Sequence, residues 1–220
     1  MELEHNKYKI SDKKIGSGGF SEVFIGTDID TGEIVAVKRV SLTQKNLQEE
    51  QTLLKLSAEI ELMQTLDHPN IVKYYDVVKT QSYWYIIMEY CHMGTFQDVI
   101  KYNQTISNYN DRESNSYYYL DQLKDALNYL RKKGCIHRDI KPVNILLTKE
   151  IKYGKKTESD IIENNNMDIS YNSDSNLIVK LADFGLAKSC LGSIDSLMNT
   201  ICGSPLYMAP ELFFQQRIQF

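Results

Sequence analysis

The sequence predicts an α+β chain in two parts: a small five-stranded lobe with one helix over residues 1–90, and a mainly helical lobe over residues 91–220. Three observations carry this prediction. Short runs of β-branched and aromatic residues, separated by turn signals, dominate the first part. A single segment with apolar residues at three- and four-residue steps interrupts them. After Cys91 the pattern becomes mainly helical, and the strongest helix leads into a polar cluster at His137–Asn144.

Tyr8 to Ser17 mixes apolar and polar residues and ends in Gly16-Ser17-Gly18-Gly19; Glu22 to Asp28 follows as a second extended stretch. Asp30-Thr31-Gly32 is a turn signal, and Ile34-Val35-Ala36-Val37 is a β-branched run. The opening therefore reads as a three-stranded antiparallel meander with a glycine-rich first turn. Leu47 to Leu66 is helical, with Leu53, Leu56, Ile60, Met63 and Leu66 or Leu62 in the stripe, and Asp67-His68-Pro69-Asn70 stops it. Ile71 to Lys79 and Tyr83 to Glu89 complete the five strands. Thr95 to Tyr102 reads as a short helix and Ile106 to Ser116 as a polar loop. Tyr117 to Lys133 is the strongest helix, with Leu120, Leu123, Leu127 and Leu130 on one stripe and Gly134 at the C-terminal cap position. Ile145 to Thr148 and Leu177 to Leu181 are short strands. Between them residues 148–176, with Asn164-Asn165-Asn166 and few large apolar residues, have too little apolar surface to offset their ordering entropy, which predicts a disordered insertion.

The 220 residues are 42% hydrophobic and 25% charged, with a net charge of −4, the profile of an ordinary globular protein. No basic surplus points to nucleic acid or to an acidic membrane surface. No apolar run approaches the roughly 20 residues a spanning helix needs, and Met1–Lys7 has no signal-like apolar core. Cys91, Cys135, Cys190 and Cys202 form no metal or redox spacing, so a reducing, cytoplasmic setting is expected.

Four groups of residues carry chemistry. In Gly16-Ser17-Gly18-Gly19-Phe20-Ser21 the glycines permit either a plain hairpin turn or a backbone cradle for phosphate; Ser21 stands where a third glycine would complete a G-x-G-x-x-G pattern. Lys38 leaves the apolar strand Val35–Val37 and needs an anion unless it snorkels to solvent; Glu59 on the striped helix is the better partner, with Glu61 the near alternative. Asp183-Phe184-Gly185 places an aspartate at a strand end beside a glycine, either a turn or a ligand for a hard cation, with Asn144 offering a second oxygen. His137-Arg138-Asp139-Ile140-Lys141-Pro142-Val143-Asn144 packs an acid, cations and an amide into eight residues.

Gly16-x-Gly18, Val35-Ala36-Val37-Lys38, His137-Arg138-Asp139-x-Lys141-Pro142-x-Asn144, Asp183-Phe184-Gly185 and Ala209-Pro210-Glu211 occur in this order. From about Tyr8 to Glu211 the chain resembles a eukaryotic-type protein kinase. Lys141 resembles the serine/threonine class, and Thr200 to Glu211 is similar to the autophagy-initiating, ULK-type kinases.

The resemblance implies a two-lobed fold and transfer of the ATP γ-phosphate to protein Ser or Thr hydroxyls, with Mg²⁺. It implies ATP contacts from Ile15, Gly16, Ser17, Gly18, Gly19, Phe20, Ser21, Val23, Ala36 and Leu146, from Lys38 and Glu59, from Met88 as gatekeeper, from the Glu89 and Cys91 backbone and from Thr95. Asp139 would take or orient the hydroxyl proton, Lys141 would neutralise phosphoryl charge, and Asn144 and Asp183 would hold Mg²⁺. Ser204 would contact Asp139 and Lys141. Thr200 is the implied regulatory phosphosite, with Arg138 and Lys188 as its cations.

The sequence stops nine residues past Glu211, at Phe220. The resemblance implies further helices beyond that point, so the second lobe is expected to be incomplete, with Phe213, Phe214, Ile218 and Phe220 short of packing and a partner covering the exposed surface. Two functions follow as expectations: a serine/threonine kinase, as a fragment or a minimal version, or a catalytically silent remnant that binds nucleotide or a partner.

Overall fold

The computed structural model describes residues 7–18, 21–42, 50–149, 176–184, 188–189 and 203–210. The expectations placed on Gly19, Phe20, Gly185, Lys188, Thr200, Glu211, residues 150–175 and the residues from Phe213 to Phe220 lie outside the described residues or side chains.

Strands β1 (Tyr8–Ser17), β2 (Ser21–Asp28) and β3 (Ile34–Ser41) form the antiparallel meander. Its second turn is held by the Asp28 carboxylate, which accepts from the backbone N–H groups of Asp30 and Thr31, while Gly32 takes a φ of +70°. Helix α1 (Glu50–Thr65) comes next, then β4 (Tyr74–Lys79) and β5 (Tyr83–Glu89), giving a five-stranded sheet of order β1-β2-β3-β5-β4. One face packs on α1, where Leu56, Ile60 and Met63 join Val40 and Ile86 in the main core. Each such side chain contributes roughly 1.5–3 kcal/mol by leaving water. The other face buries Val35, Val37, Tyr85 and Ile87 against Tyr8 and Ile10. The Tyr8 hydroxyl donates to Asp76 of β4 at 3.3 Å, so the curled sheet brings its two edge strands together.

The strand expected from Ile71 begins at Tyr74. Asn70 to Val72 pair elsewhere: Val72 N–H donates to the Leu181 carbonyl at 3.0 Å, and Leu181 N–H donates to that of Asn70 at 2.9 Å. These residues tie the sheet to the helical part of the chain.

Helix α2 (Phe96–Thr105) is capped by Thr95, whose backbone N–H and hydroxyl both donate to the Asp98 carboxylate. Helix α3 runs from Tyr109 to Lys132. The expected loop over 106–116 is therefore mostly helix. Asn108 caps it, its side chain accepting from Asn110 N–H at 3.0 Å, and the polar residues 110–114 face solvent. The buried stripe is Asn115, Tyr119, Leu123, Ala126 and Leu130; Leu127 is partly buried and Leu120 is 44% exposed, outside it. Gly134 ends the helix with φ +63°.

A short strand β6 (Cys135–Ile136) leads to a 3-10 turn at Pro142–Asn144 and strand β7 (Ile145–Lys149). Strand β8 (Leu177–Leu181) pairs with β7 in antiparallel register, and Leu147, Val179 and Leu181 pack into the same core as α3. Thr148 and Lys149, expected to open the insertion, belong to β7. Strand β9 (Lys188–Ser189) pairs with β6, and a second 3-10 turn spans Pro205–Tyr207. This is a two-lobed α+β architecture. Among the described residues no helix is long and apolar enough to cross a membrane.

Candidate active site

Asp139 is the centre of the polar cluster. It is 8% exposed and follows a backbone reversal at Arg138, which sits at φ +67°. A non-glycine residue there costs of order 1–3 kcal/mol and is held only by surrounding contacts. One carboxylate oxygen, Oδ1, accepts from the Ser204 N–H at 3.1 Å and hydroxyl at 2.8 Å. The other, Oδ2, accepts from Lys141 Nζ at 2.7 Å and Asn144 Nδ2 at 3.1 Å. Burial pushes the Asp139 carboxyl up, but the Lys141 and Ser204 donors outweigh it and hold the group below the usual aspartate range. Lys141 also donates to Ser204 Oγ at 3.0 Å, closing a three-residue ring.

Ser204 reaches this position because Gly203 precedes it. Gly203 has φ +119°, and a Cβ there would lie 2.4 Å from the Arg138 carbonyl oxygen. Only glycine lets the two backbones approach so closely.

His137 supports the same loop from below. Its Nδ1 accepts from Asp139 N–H at 3.3 Å and its Nε2 lies 2.9 Å from the Ala182 carbonyl, so Nε2 carries the proton. Burial keeps the ring pKa below its ordinary value, consistent with a neutral imidazole. The ring meets Phe184 edge-on, centroids 4.8 Å apart, and Phe184 is 1% exposed. Asn144 adds a third tie: Ala182 N–H donates to its carbonyl at 2.8 Å. The loop after β6 and the end of β8 are thereby one unit.

Asp183, at φ +63°, turns its carboxylate to Lys38 Nζ at 3.1 Å, and the same Nζ lies 3.5 Å from Glu59. Lys38 therefore joins β3, α1 and the end of β8. Burial alone would lower the Lys38 pKa; the Glu59 and Asp183 carboxylates reverse that and raise it, so the ammonium stays charged. Glu61 is exposed and takes no part.

The other expected residues are placed as follows. Val23, Ala36 and Met88 pack with Ile25, Ile34 and Tyr90, and Ala36 is opposite Met88 in the β3–β5 register. Leu146 bridges Thr95 through the backbone, and Ile15 is exposed on β1. Gly16 is opposite Val23 and Ser17 opposite Glu22; Gly18 N–H donates to the Ser21 carbonyl at 2.7 Å, which closes the first hairpin. Cys91 is half-buried. Glu89 N–H donates to the Lys73 carbonyl at 2.8 Å, while its carboxylate meets Lys180 Nζ at 2.8 Å with both side chains largely buried.

Lys180, His137 and Gly203 have structural roles that motif reading leaves blank. Lys180 does carry a sequence signal: it alternates with Leu177, Val179 and Leu181, so it projects from the face of β8 opposite the core.

The oxygen donors near Lys38 suit a hard divalent cation. Asp183 is 48% exposed at its side chain, and Asn144 uses its amide nitrogen on Asp139, leaving its amide oxygen as a separate donor. Among the described residues no three His, Cys, Asp or Glu side chains converge, which fits an ion that takes most of its oxygens from phosphate and water.

The chain is similar to proteins that carry kinase names. It is 55% identical over 218 residues, 98% of its length, to a protein of Acanthamoeba polyphaga mimivirus provisionally named serine/threonine-protein kinase R517/R518. It is 36% identical over 207 residues to MAP3K epsilon protein kinase 2 of Arabidopsis thaliana, and 34% identical over 212 residues to the serine/threonine-protein kinase atg1 of Dictyostelium discoideum, in each case across 94% of its length. It spans 46%, 13% and 27% of those three proteins. Residues 9–219 match the family model of the protein kinase domain, which takes in the Lys38–Glu59–Asp183 bridge and the whole Asp139 cluster: the chain belongs to the protein kinase family.

Proposed function

We propose that this chain is the phosphotransferase domain of a serine/threonine protein kinase that uses Mg-ATP. The observation that carries the reading is the Asp139 cluster: a buried, ionised carboxylate already holds one hydroxyl, that of Ser204, at 2.8 Å, with a lysine ammonium on its other oxygen. An acceptor Ser or Thr hydroxyl meeting Asp139 in the same manner would be oriented for attack. A carboxylate held below the usual range is a weak base, so Asp139 mainly positions the hydroxyl and takes its proton late. Lys141, bonded to both Asp139 and Ser204, supplies positive charge beside the moving phosphoryl group.

Lys38 would bind the α- and β-phosphates while Glu59 holds it in place. Asp183 and Asn144 would hold Mg²⁺, which when bound neutralises charge between the phosphates. Val23, Ala36, Met88, Leu146 and Ile15 would border the adenine, with backbone groups of Glu89 and Cys91 at its edge and Thr95 near the ribose. Gly16, Ser17, Gly18 and Ser21 would cover the phosphates. Regulation by phosphate on Thr200 and a cytoplasmic setting belong to the same reading; the spacing of Cys91, Cys135, Cys190 and Cys202, which matches no metal or redox motif, suits a reducing compartment. The catalytically silent alternative finds no support among the relatives, which carry kinase names.

The test is transfer of labelled phosphate from Mg-ATP to a generic basic protein, with Asp139→Asn as comparison. A loss of roughly 10²–10⁴-fold is expected; equal incorporation overturns the reading. Mg-ATP should also raise Tm, and Lys38→Ala should abolish that rise.

A further inference from the structure

Lys180 and Glu89 form a largely buried ion pair that the chemistry at Asp139 and Lys38 does not use. Lys180 Nζ lies 2.8 Å from Glu89 Oε2, and the two side chains are 12% and 14% exposed. The same Oε2 accepts from Lys73 N–H at 3.2 Å, and Glu89 N–H donates back to the Lys73 carbonyl at 2.8 Å. Glu89 is thereby fixed in the five-stranded sheet at the end of β5, opposite Val35 of β3. Lys180 is fixed on the β7–β8 hairpin, opposite Leu146. Directly opposite residues of an antiparallel pair share one face, so Lys180 and Leu146 stand side by side.

The pair therefore lies next to both borders of the proposed nucleotide slot. Met88 precedes Glu89 on β5 and is opposite Ala36, so these two form the sheet border; Leu146 forms the hairpin border. One 2.8 Å contact joins the residue after Met88 to the cross-strand neighbour of Leu146. Stability is a weak reason for such a contact. Taking two charges out of water offsets most of their attraction, and an apolar pair of similar size often serves a fold as well. Nor is the contact needed to hold sheet and hairpin together, since the backbone bonds of Asn70 and Val72 to Leu181 already do so. What an apolar pair lacks is a fixed length: an ammonium and a carboxylate hold a separation of about 2.7–2.9 Å, whereas methyl groups slide past one another.

Resting on the phosphotransferase reading, we infer that Lys180 and Glu89 are positioning residues for the nucleotide, their bridge setting the separation between Ala36 and Met88 on one side of the adenine and Leu146 on the other. Lys180 acts through Leu146 and the end of β5. Without the bridge the two borders no longer grip the base at one spacing, and ATP and ADP bind less tightly.

The experiment compares the wild-type protein with Lys180→Met, Lys180→Arg and Lys180→Met/Glu89→Leu. It measures Tm, the Kd for Mg-ADP by calorimetry, and steady-state transfer from Mg-ATP to a generic basic protein. Lys180→Met should raise the Kd for Mg-ADP and the KM for ATP by about tenfold, the low end of what one misplaced apolar contact is worth. The loss should fall on these constants and not on kcat or on the KM for the acceptor. Lys180→Arg, which keeps the charge, should bind close to the wild type. The double variant should regain much of the lost Tm and keep the weakened binding, which a purely structural pair would not do. A double variant whose nucleotide affinity returns with its Tm overturns the inference, as does one that regains no stability, since the pair would then serve the fold itself. Unchanged affinity in Lys180→Met, or Lys180→Arg binding as weakly as Lys180→Met, overturns it too. Wild-type transfer with unaltered affinities in the variants overturns this inference alone; a wild-type protein that neither binds Mg-ADP nor transfers phosphate overturns the phosphotransferase reading beneath it as well.

Discussion

At the scale of single residues, the site depends on groups whose importance comes from where the fold brings them. Asp139, Lys141, Asn144, Lys38 and Asp183 are legible in the sequence because an acid, a cation or an amide beside an apolar strand end needs a polar explanation. Gly203 is not legible in that way, since its role is a close approach to a carbonyl 65 residues earlier, at Arg138. Gly203→Ala should displace Ser204 from Asp139. The expected outcome is a fall in kcat of about tenfold or more with little change in the KM for ATP, measured by steady-state kinetics. His137 carries a second prediction. Its folded pKa lies below the ordinary value of 6.5, so below about that pH the unfolded chain takes up a proton that the folded chain resists. The stability it contributes is complete above pH 6.5 and declines as the pH falls toward the lowered folded value. Tm should therefore drop between pH 7 and pH 5.5, and His137→Asn, though less stable at pH 7, should show a smaller drop over the same interval.

At the scale of elements, the strands were legible and the helices only partly so. The meander β1–β3 is written in β-branched runs and a turn whose Asp28 carboxylate caps it. The start of α3 escapes the same reading because an exposed helical turn and a polar loop have the same composition, and capping by Asn108 is the local feature that separates them. The buried stripe of α3 also misleads: Asn115 and Ala126 are in it and Leu120 is not, because the neighbouring chain, and not residue hydropathy, decides which face is covered. The link between β5 and β8 was invisible for a related reason. Lys180 and Glu89 are far apart in the chain and each reads as an ordinary surface charge, yet they meet at 2.8 Å with side chains only 12% and 14% exposed. Removing one partner leaves the other charge poorly solvated. Lys180→Met should destabilise the fold by about 2–4 kcal/mol, while Lys180→Met/Glu89→Leu should recover much of that loss. Urea melts of the single and double variants measure the difference.

At the scale of the whole molecule, the sheet and the helical part are joined through the segment between α1 and β4. Asp67 N–H donates to the Tyr129 hydroxyl of α3 at 2.9 Å, and the His68 and Tyr129 rings lie 4.9 Å apart. Asn70, 8% exposed, is the nearest thing to a common node: its amide donates to the Val179 carbonyl and to Gln122 Oε1, both at 3.0 Å, and its own carbonyl accepts from Leu181. Gln122 in turn bonds β8 at Val179 N–H and at the Leu177 carbonyl. One side chain thus links the stop signal of α1, the middle of α3 and the strand that ends at Asp183. Asn70→Ala would leave a buried carbonyl and a glutamine oxygen each short of one donor, a loss of roughly 1–3 kcal/mol. Because β8 carries Asp183 to Lys38, the loss should not stop at stability. Asn70→Ala should lower Tm by several degrees and also shrink the further rise that Mg-ATP produces, whereas a variant of equal stability cost made on the outer face of the sheet, such as Tyr85→Leu beside Tyr83, should lower Tm and keep that rise. Thermal melts of the two variants with and without Mg-ATP decide it: equal ligand shifts would show that the segment between α1 and β4 holds the lobes together without tuning the geometry around Asp183.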